Sequence, residues 1–192
     1  MDNFVDASTG LLIARLVLGT LIVAHGTQKL FGWLGGYGLT GTGGYFEQLG
    51  FHPGRTFAAA ASVSEIAAGV LLVLGFLGPI GPALLLSVMI VAAVSVHWNH
   101  GLFAATNGIE VPLLYATGAL TLALTGPGAY SLDAVLGLDR LWSPGLEWAA
   151  LGAGVVAAVV NLAARRPAPS VAKPETADKH ETPANVTGVS SR

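Results

Sequence analysis

Phe57-Ala58-Ala59-Ala60-Ala61-Ser62-Val63-Ser64-Glu65-Ile66-Ala67-Ala68-Gly69-Val70-Leu71-Leu72-Val73-Leu74-Gly75-Phe76 is an apolar run that carries one ionisable side chain, Glu65. About 20 apolar residues is the length an α-helix needs to cross a bilayer. An acid at the centre of such a helix costs about +2.5 to +3.5 kcal/mol on insertion scales. Ala58, Ala61, Ser62, Ala68 and Gly69 recur around Glu65 at three- and four-residue spacings, while Leu71, Leu72 and Leu74 cluster towards one end. Small residues let helices approach closely. The run is therefore predicted to be a membrane helix that turns Glu65 towards its neighbours rather than towards lipid.

Further spans are predicted on both sides of this one, at about 10–30, 80–97, 109–125 and 147–164. Gly75-Phe76-Leu77-Gly78-Pro79-Ile80-Gly81-Pro82 stops one helix and starts the next. The span near 109–125 is short and opens near Pro112; the span ending at Arg165-Arg166 is rich in Ala, Gly and Val and has the weakest signal. The composition agrees, at 53% hydrophobic and 10% charged with a mean hydropathy of +0.65, against about 25% charged in a typical soluble domain. No Lys or Arg occurs between Arg55 and Arg140. The expected fold is all-α, a transmembrane bundle of a four-helix core and a fifth helix. The expected divisions are 1–137 for the membrane domain, 138–165 for the fifth helix with its preceding loop, and 166–192 for a disordered tail too poor in large apolar residues to bury a core.

Five spans place the termini on opposite sides. With Arg165, Arg166, Lys173 and Lys179 inside, Lys29 and Arg55 fall inside as well, and only Arg140 is left in an outer loop. Positive flanks face the cytoplasm, so the N-terminus is expected outside and the C-terminus inside the plasma membrane. Asp2 and Asp6 stand where a signal peptide would be basic, so the first span is expected to be retained. Trp33, Trp98, Trp142 and Trp148 fall near span ends, as interfacial anchors do.

The chemistry-bearing residues are few. Arg15, His25, Glu65 and His97 lie in or at the ends of apolar spans. Glu65 has two readings: an acid paired to hold the bundle together, or a proton carrier and ligand contact. Arg15 is its expected partner, since a helix rise of 1.5 Å per residue puts the two at depths of about 22 and 12 Å from the inner end. His25 and Lys29 share a helix face, and His97, His100 and Glu110 are expected at the same membrane face. Such a cluster suits proton transfer or a quinone carbonyl. A bis-histidine haem would need facing helices at matched depth and ranks well below a quinone. The bland alternative is a set of helix caps and headgroup contacts. Thr117, Thr121 and Thr125 form a stripe expected to hydrogen-bond across helices as packing.

Several functions are disfavoured. The chain has no cysteine, so it makes no disulfide, thiolate zinc site or redox dithiol of its own. A net charge of −2 points to no nucleic-acid partner. Gly36, Gly38 and Gly41 match G-x-G-x-x-G in form, but a dinucleotide site needs a strand before the motif and a membrane helix precedes it here. The glycines suit a tight interfacial turn instead. No metal site is expected.

The order of these features resembles the DoxX family of small bacterial membrane proteins. The matching residues are Arg15-Leu16-Val17-Leu18-Gly19, His25-Gly26-Thr27-Gln28-Lys29-Leu30-Phe31-Gly32 and Gly43-Gly44-Tyr45-Phe46. They continue with Glu65 and Gly69-Val70-Leu71-Leu72, His97 through Gly101-Leu102-Phe103, Gly108-Ile109-Glu110 and Gly126-Pro127-Gly128-Ala129-Tyr130-Ser131-Leu132-Asp133. The resemblance implies a four-helix membrane core and a place in quinone-linked or thiol-redox membrane complexes. It carries polar positions onto Arg15, His25, Lys29, Glu65, His97 and Glu110. The expected function is a redox-associated plasma-membrane subunit working with soluble redox partners, in which Glu65, His25 and His97 act catalytically and Arg15, Lys29, His100 and Glu110 bind the cofactor, quinone by preference. A non-catalytic scaffold or assembly factor is the alternative, and a small transporter a third. Homo-oligomerisation is left open.

Overall fold

The computed structural model describes residues 7–166. Asp2, Asp6 and the expected tail from residue 167 onward lie outside the described residues. The order is α1 (Ala7–Phe31), α2 (Gly38–Gln48), α3 (Gly54–Leu74), α4 (Ile80–Ala92), α5 (Glu110–Thr125), α6 (Leu132–Leu136) and α7 (Pro144–Ala163). Helix α4 runs on through a π-turn, Ala93–His97, and a 3₁₀ turn, Trp98–His100. Among the described residues, four helical segments, α1, α3, α7 and Ile80–His100, are long and apolar enough to cross a membrane, and α5 is a shorter apolar helix. The fold is the expected all-α bundle. The helix with the weakest sequence signal, α7, is a full-length one.

Helices α1, α3, α4 and α5 surround a core of Ile22, Ala68, Leu72, Leu85, Met89, Tyr115, Ala119 and Leu122. Helices α1 and α3 run antiparallel along most of their length. Their register is set by small residues. A Cβ added at Gly19 would lie 2.7 Å from the Gly69 carbonyl oxygen, and one at Gly26 would lie 2.8 Å from that of Ser62. Real side chains do not tolerate such approaches, so backbone meets backbone only because these positions are bare. Helix α7 seats on α4 in the same way, with Gly154 against Ala83 and with Leu151 and Ala158 buried.

The helix ends follow local chemistry. Ser143 caps α7 by accepting from the Leu146 N–H, with Pro144 next in the first turn. Helix α3 closes in a Schellman motif, in which Phe76 N–H donates to Leu71 O at 3.0 Å and Gly75 N–H donates to Leu72 O at 3.1 Å. Gly75 takes φ 61°, a left-handed conformation that a side chain would strain.

Two expectations are corrected at this level. Thr121 and Thr125 donate to the carbonyls of Thr117 and Thr121 within α5 and face outward, so this stripe makes no bond across helices. With no water on the lipid side, a hydroxyl satisfies itself most cheaply on its own helix. Trp142 is half-buried rather than a free anchor, and its indole N–H donates to Asp133 at 3.1 Å. Trp33, Trp98 and Trp148 are exposed near helix ends, as expected.

Candidate functional site

The bundle carries buried charge at both ends, and each end is built differently. At the α3–α4 hinge, Asp133 is fully buried and accepts from Leu77 N–H at 2.9 Å, Gly78 N–H at 2.6 Å and Trp142. Its backbone N–H donates to Gly75 O. Arg15, also buried, donates to the carbonyls of Pro127 and Tyr130 and lies within electrostatic reach of Asp133. This end is a structural lock that fastens the 126–133 segment to the hinge.

The expected Arg15–Glu65 pair does not form. Gly19 against Gly69 puts Arg15 level with about residue 73, roughly 12 Å along the axis from Glu65. Lys29 forms the ion pair with Glu65 instead, reaching in from about 9 Å along the other way on its flexible stem. The Lys29 side chain is 32% exposed and that of Glu65 only 1%, so the lysine bridges the cleft and the interior. Glu65 Oε2 has no hydrogen-bond partner among the described residues.

Around this pair opens a cleft of about 910 Å³. His25, Lys29, Glu65, His97 and Tyr115 line it, with Ile22, Val88 and Met89 among its apolar walls. The volume lies in the range of small-molecule sites. Tyr115 sets its ring edge-on to His25, with centroids 6.3 Å apart, and lies within electrostatic reach of Glu65. His97 Nδ1 is 2.7 Å from Asn107 O. A carbonyl only accepts, so this contact assigns the ring proton to Nδ1 and leaves the Nε2 lone pair free in the neutral ring. The π-turn that ends α4 turns Ser95 into the same cleft, and Ser95 Oγ has no partner among the described residues. Such π-turns are frequent at functional sites.

Four of the seven expected site residues thus meet, namely His25, Lys29, Glu65 and His97, and three do not line the cleft. Arg15 belongs to the lock at the far end. His100 Nδ1 contacts Val96 O, and Glu110 accepts from Ala104 N–H at 2.7 Å to close the loop before α5. His100 sits in the 3₁₀ turn that ends α4 and Glu110 opens α5, and each meets a nearby backbone group rather than the cleft. Tyr115, Ser95 and Asp133 were missed as site or lock residues. Tyr115 reads as an ordinary apolar-span aromatic and Ser95 as a small residue. Asp133 could have been found, because it is the only acid between Glu110 and Asp139 and lies just after the Gly126-Pro127-Gly128 turn.

The sequence pattern of the DoxX family matches residues 10–98, a segment that includes the α1–α3 pair and His97. Inner membrane protein YphA of Escherichia coli (strain K12) is 33% identical over 128 residues, which cover 64% of this chain and 87% of that protein. The chain belongs to the DoxX family. Inner membrane protein YqjF of the same organism is 29% identical over 133 residues, 69% of this chain and 95% of that protein. No solved structure matches. With its apolar helices and these relatives, the DoxX protein is a multi-pass protein of the bacterial plasma membrane. Tyr115 and α7 lie beyond the matched segment, yet both contribute to the cleft, α7 through Asn161.

Proposed function

We propose that this DoxX protein is a redox-associated membrane subunit whose cleft takes a quinone headgroup, with soluble partners supplying the sulfur or metal chemistry that a chain without cysteine lacks. The observation that carries this is the Lys29–Glu65 pair set in the wall of an otherwise largely apolar cleft beside His25, His97 and Tyr115. The residues present fit such a group. Apolar walls suit a ring and its first isoprene carbons, and the polar atoms on one side can meet ring oxygens. A bound quinone would supply two-electron, two-proton redox chemistry. Lys29 and Tyr115 would donate to ring oxygens, His97 Nε2 and Glu65 Oε2 would accept from hydroxyls, and the ion pair would hold the carboxylate in place.

The cleft end is read as cytoplasmic. Arg55 packs on Gly43 there, and Arg165 and Arg166 bond to the Leu49–Gly50 corner, so with Lys29 four cations gather at one end. That bias follows the positive-inside rule.

The test is to purify the protein in mild detergent and measure quinone per polypeptide in an organic extract, alongside Glu65→Gln. Near-stoichiometric quinone that falls in the variant supports the proposal. Quinone at the lipid background in the parent protein sinks it and favours the scaffold alternative. The lock of Arg15 and Asp133, which only fastens segments together, gives that alternative its footing.

A further inference from the structure

The geometry points to the residues that follow α7 as a clasp that holds one wall of the cleft in place. Helix α2 and the corner that follows it form that wall, through Tyr45, Phe46, Leu49 and Phe51. Three contacts from Arg165 and Arg166, just past the end of α7, fall on this corner. Arg165 Nε donates to Leu49 O at 3.0 Å, Arg166 N–H donates to Gly50 O at 2.7 Å, and the Arg165 guanidinium lies over the Phe51 ring, 5.6 Å from its centroid. Phe51 is 1% exposed and packs between Phe46 and Phe57, with centroid distances of 5.6 and 5.3 Å. The corner is shaped to receive the clasp, since Gly50 takes φ 92° and a Cβ there would come 2.7 Å from Arg166 O.

Elsewhere α2 packs on α3, with Gly43 close against Gly54 and Arg55, and its hydrogen bonds to other segments are longer. Thr42 donates to Lys29 O at 3.3 Å, and Gly54 N–H donates to Glu47 at 3.2 Å. The shortest polar ties from the corner to any other segment among the described residues therefore come from a stretch more than a hundred residues away in sequence. Arg165 does double duty there. Its charge strengthens the bond to a carbonyl, and its flat face covers an aromatic ring that lines the cleft. Releasing Arg165 frees the corner and lets α2 move away from the Lys29–Glu65 wall. Access to the cleft is thus set by a helix outside the family-matched segment, whatever the cleft holds.

The absence of cysteine supplies a clean reporter. Ser64 lines the cleft, and Ala105 lies exposed in the loop before α5, outside the spans and outside the cleft. Single-cysteine proteins Ser64→Cys and Ala105→Cys, in proteoliposomes, are labelled with a small membrane-permeant maleimide with and without Arg165→Ala. The clasp predicts about tenfold faster labelling at position 64, equivalent to about 1.4 kcal/mol lost from the clasped form, and no change at position 105. Arg165→Lys keeps the charge but not the fork, and should give an intermediate rate. An unchanged rate at position 64 in both Arg165 variants overturns the clasp. An equal rise at positions 64 and 105 does so too, because it would mark general loosening.

Discussion

Lys29 on α1 donates to the carboxylate of Glu65 on α3, and the second oxygen of that acid, buried in the wall of the cleft, has no partner among the described residues. One ion pair thereby joins two helices and leaves an acceptor unused. An unmet buried acceptor costs about 1–3 kcal/mol, so this oxygen is a group that a ligand in the cleft would satisfy.

Removing one member of this pair should cost more than removing both. Lys29→Met strands a buried carboxylate and is expected to destabilise by about 2 kcal/mol, less than a fully buried pair because the lysine is partly exposed. The double variant Lys29→Met with Glu65→Gln should recover most of that loss. A double-mutant cycle of unfolding in mixed detergent measures the coupling, and additive effects would contradict the pairing.

Register between α1 and α3 depends on bare backbone. Gly69→Leu would drive a side chain into the Gly19 carbonyl and Val23, and should cost at least about 1–3 kcal/mol or abolish folding. Gly10→Ala, which meets nothing within 4 Å, should be neutral or slightly stabilising. Thermal unfolding of the two proteins side by side gives the contrast.

At the opposite end, Asp133→Asn keeps the shape but removes the charge that receives Leu77, Gly78 and Trp142. It also leaves Arg15 without the carboxylate near it. A loss of about 3 kcal/mol is expected, with Trp142 emission shifting as its indole loses its partner. Unchanged stability and emission would show that the lock is dispensable.

Tyr115→Phe separates a ligand role from a packing role. The ring keeps its place against His25 and in the core, so the fold should hold within about 1 kcal/mol. Bound quinone should fall about tenfold where the hydroxyl donates to a ring oxygen, the effect of losing about 1.4 kcal/mol. Full retention of quinone would remove Tyr115 from the site.

Much of this protein is legible one segment at a time. Hydropathy marks the spans, Ser143-Pro144 starts α7, and Gly75 stops α3, because each depends on transfer to lipid or on local backbone chemistry. The prominence of Glu65 was legible for the same reason, as was the gathering of His25, Lys29 and His97 at one end. The weak signal of α7 reflected its small residues. Those are the residues that let Gly154 seat against Ala83.

The sequence alone thus determined a membrane bundle and which few polar residues must be dealt with inside it. Only the tertiary structure decided how they are dealt with. Which cation meets Glu65 turns on a register set by glycines fifty residues apart, a shift of a few residues along a helix that hydropathy does not encode. Whether Arg165 is a flank charge or part of a wall turns on where α7 ends relative to the Leu49–Phe51 corner. Span formation is a local partition between water and lipid. Pairing is a relation between distant segments, fixed when backbones approach closely and long side chains take whichever partner lies within reach.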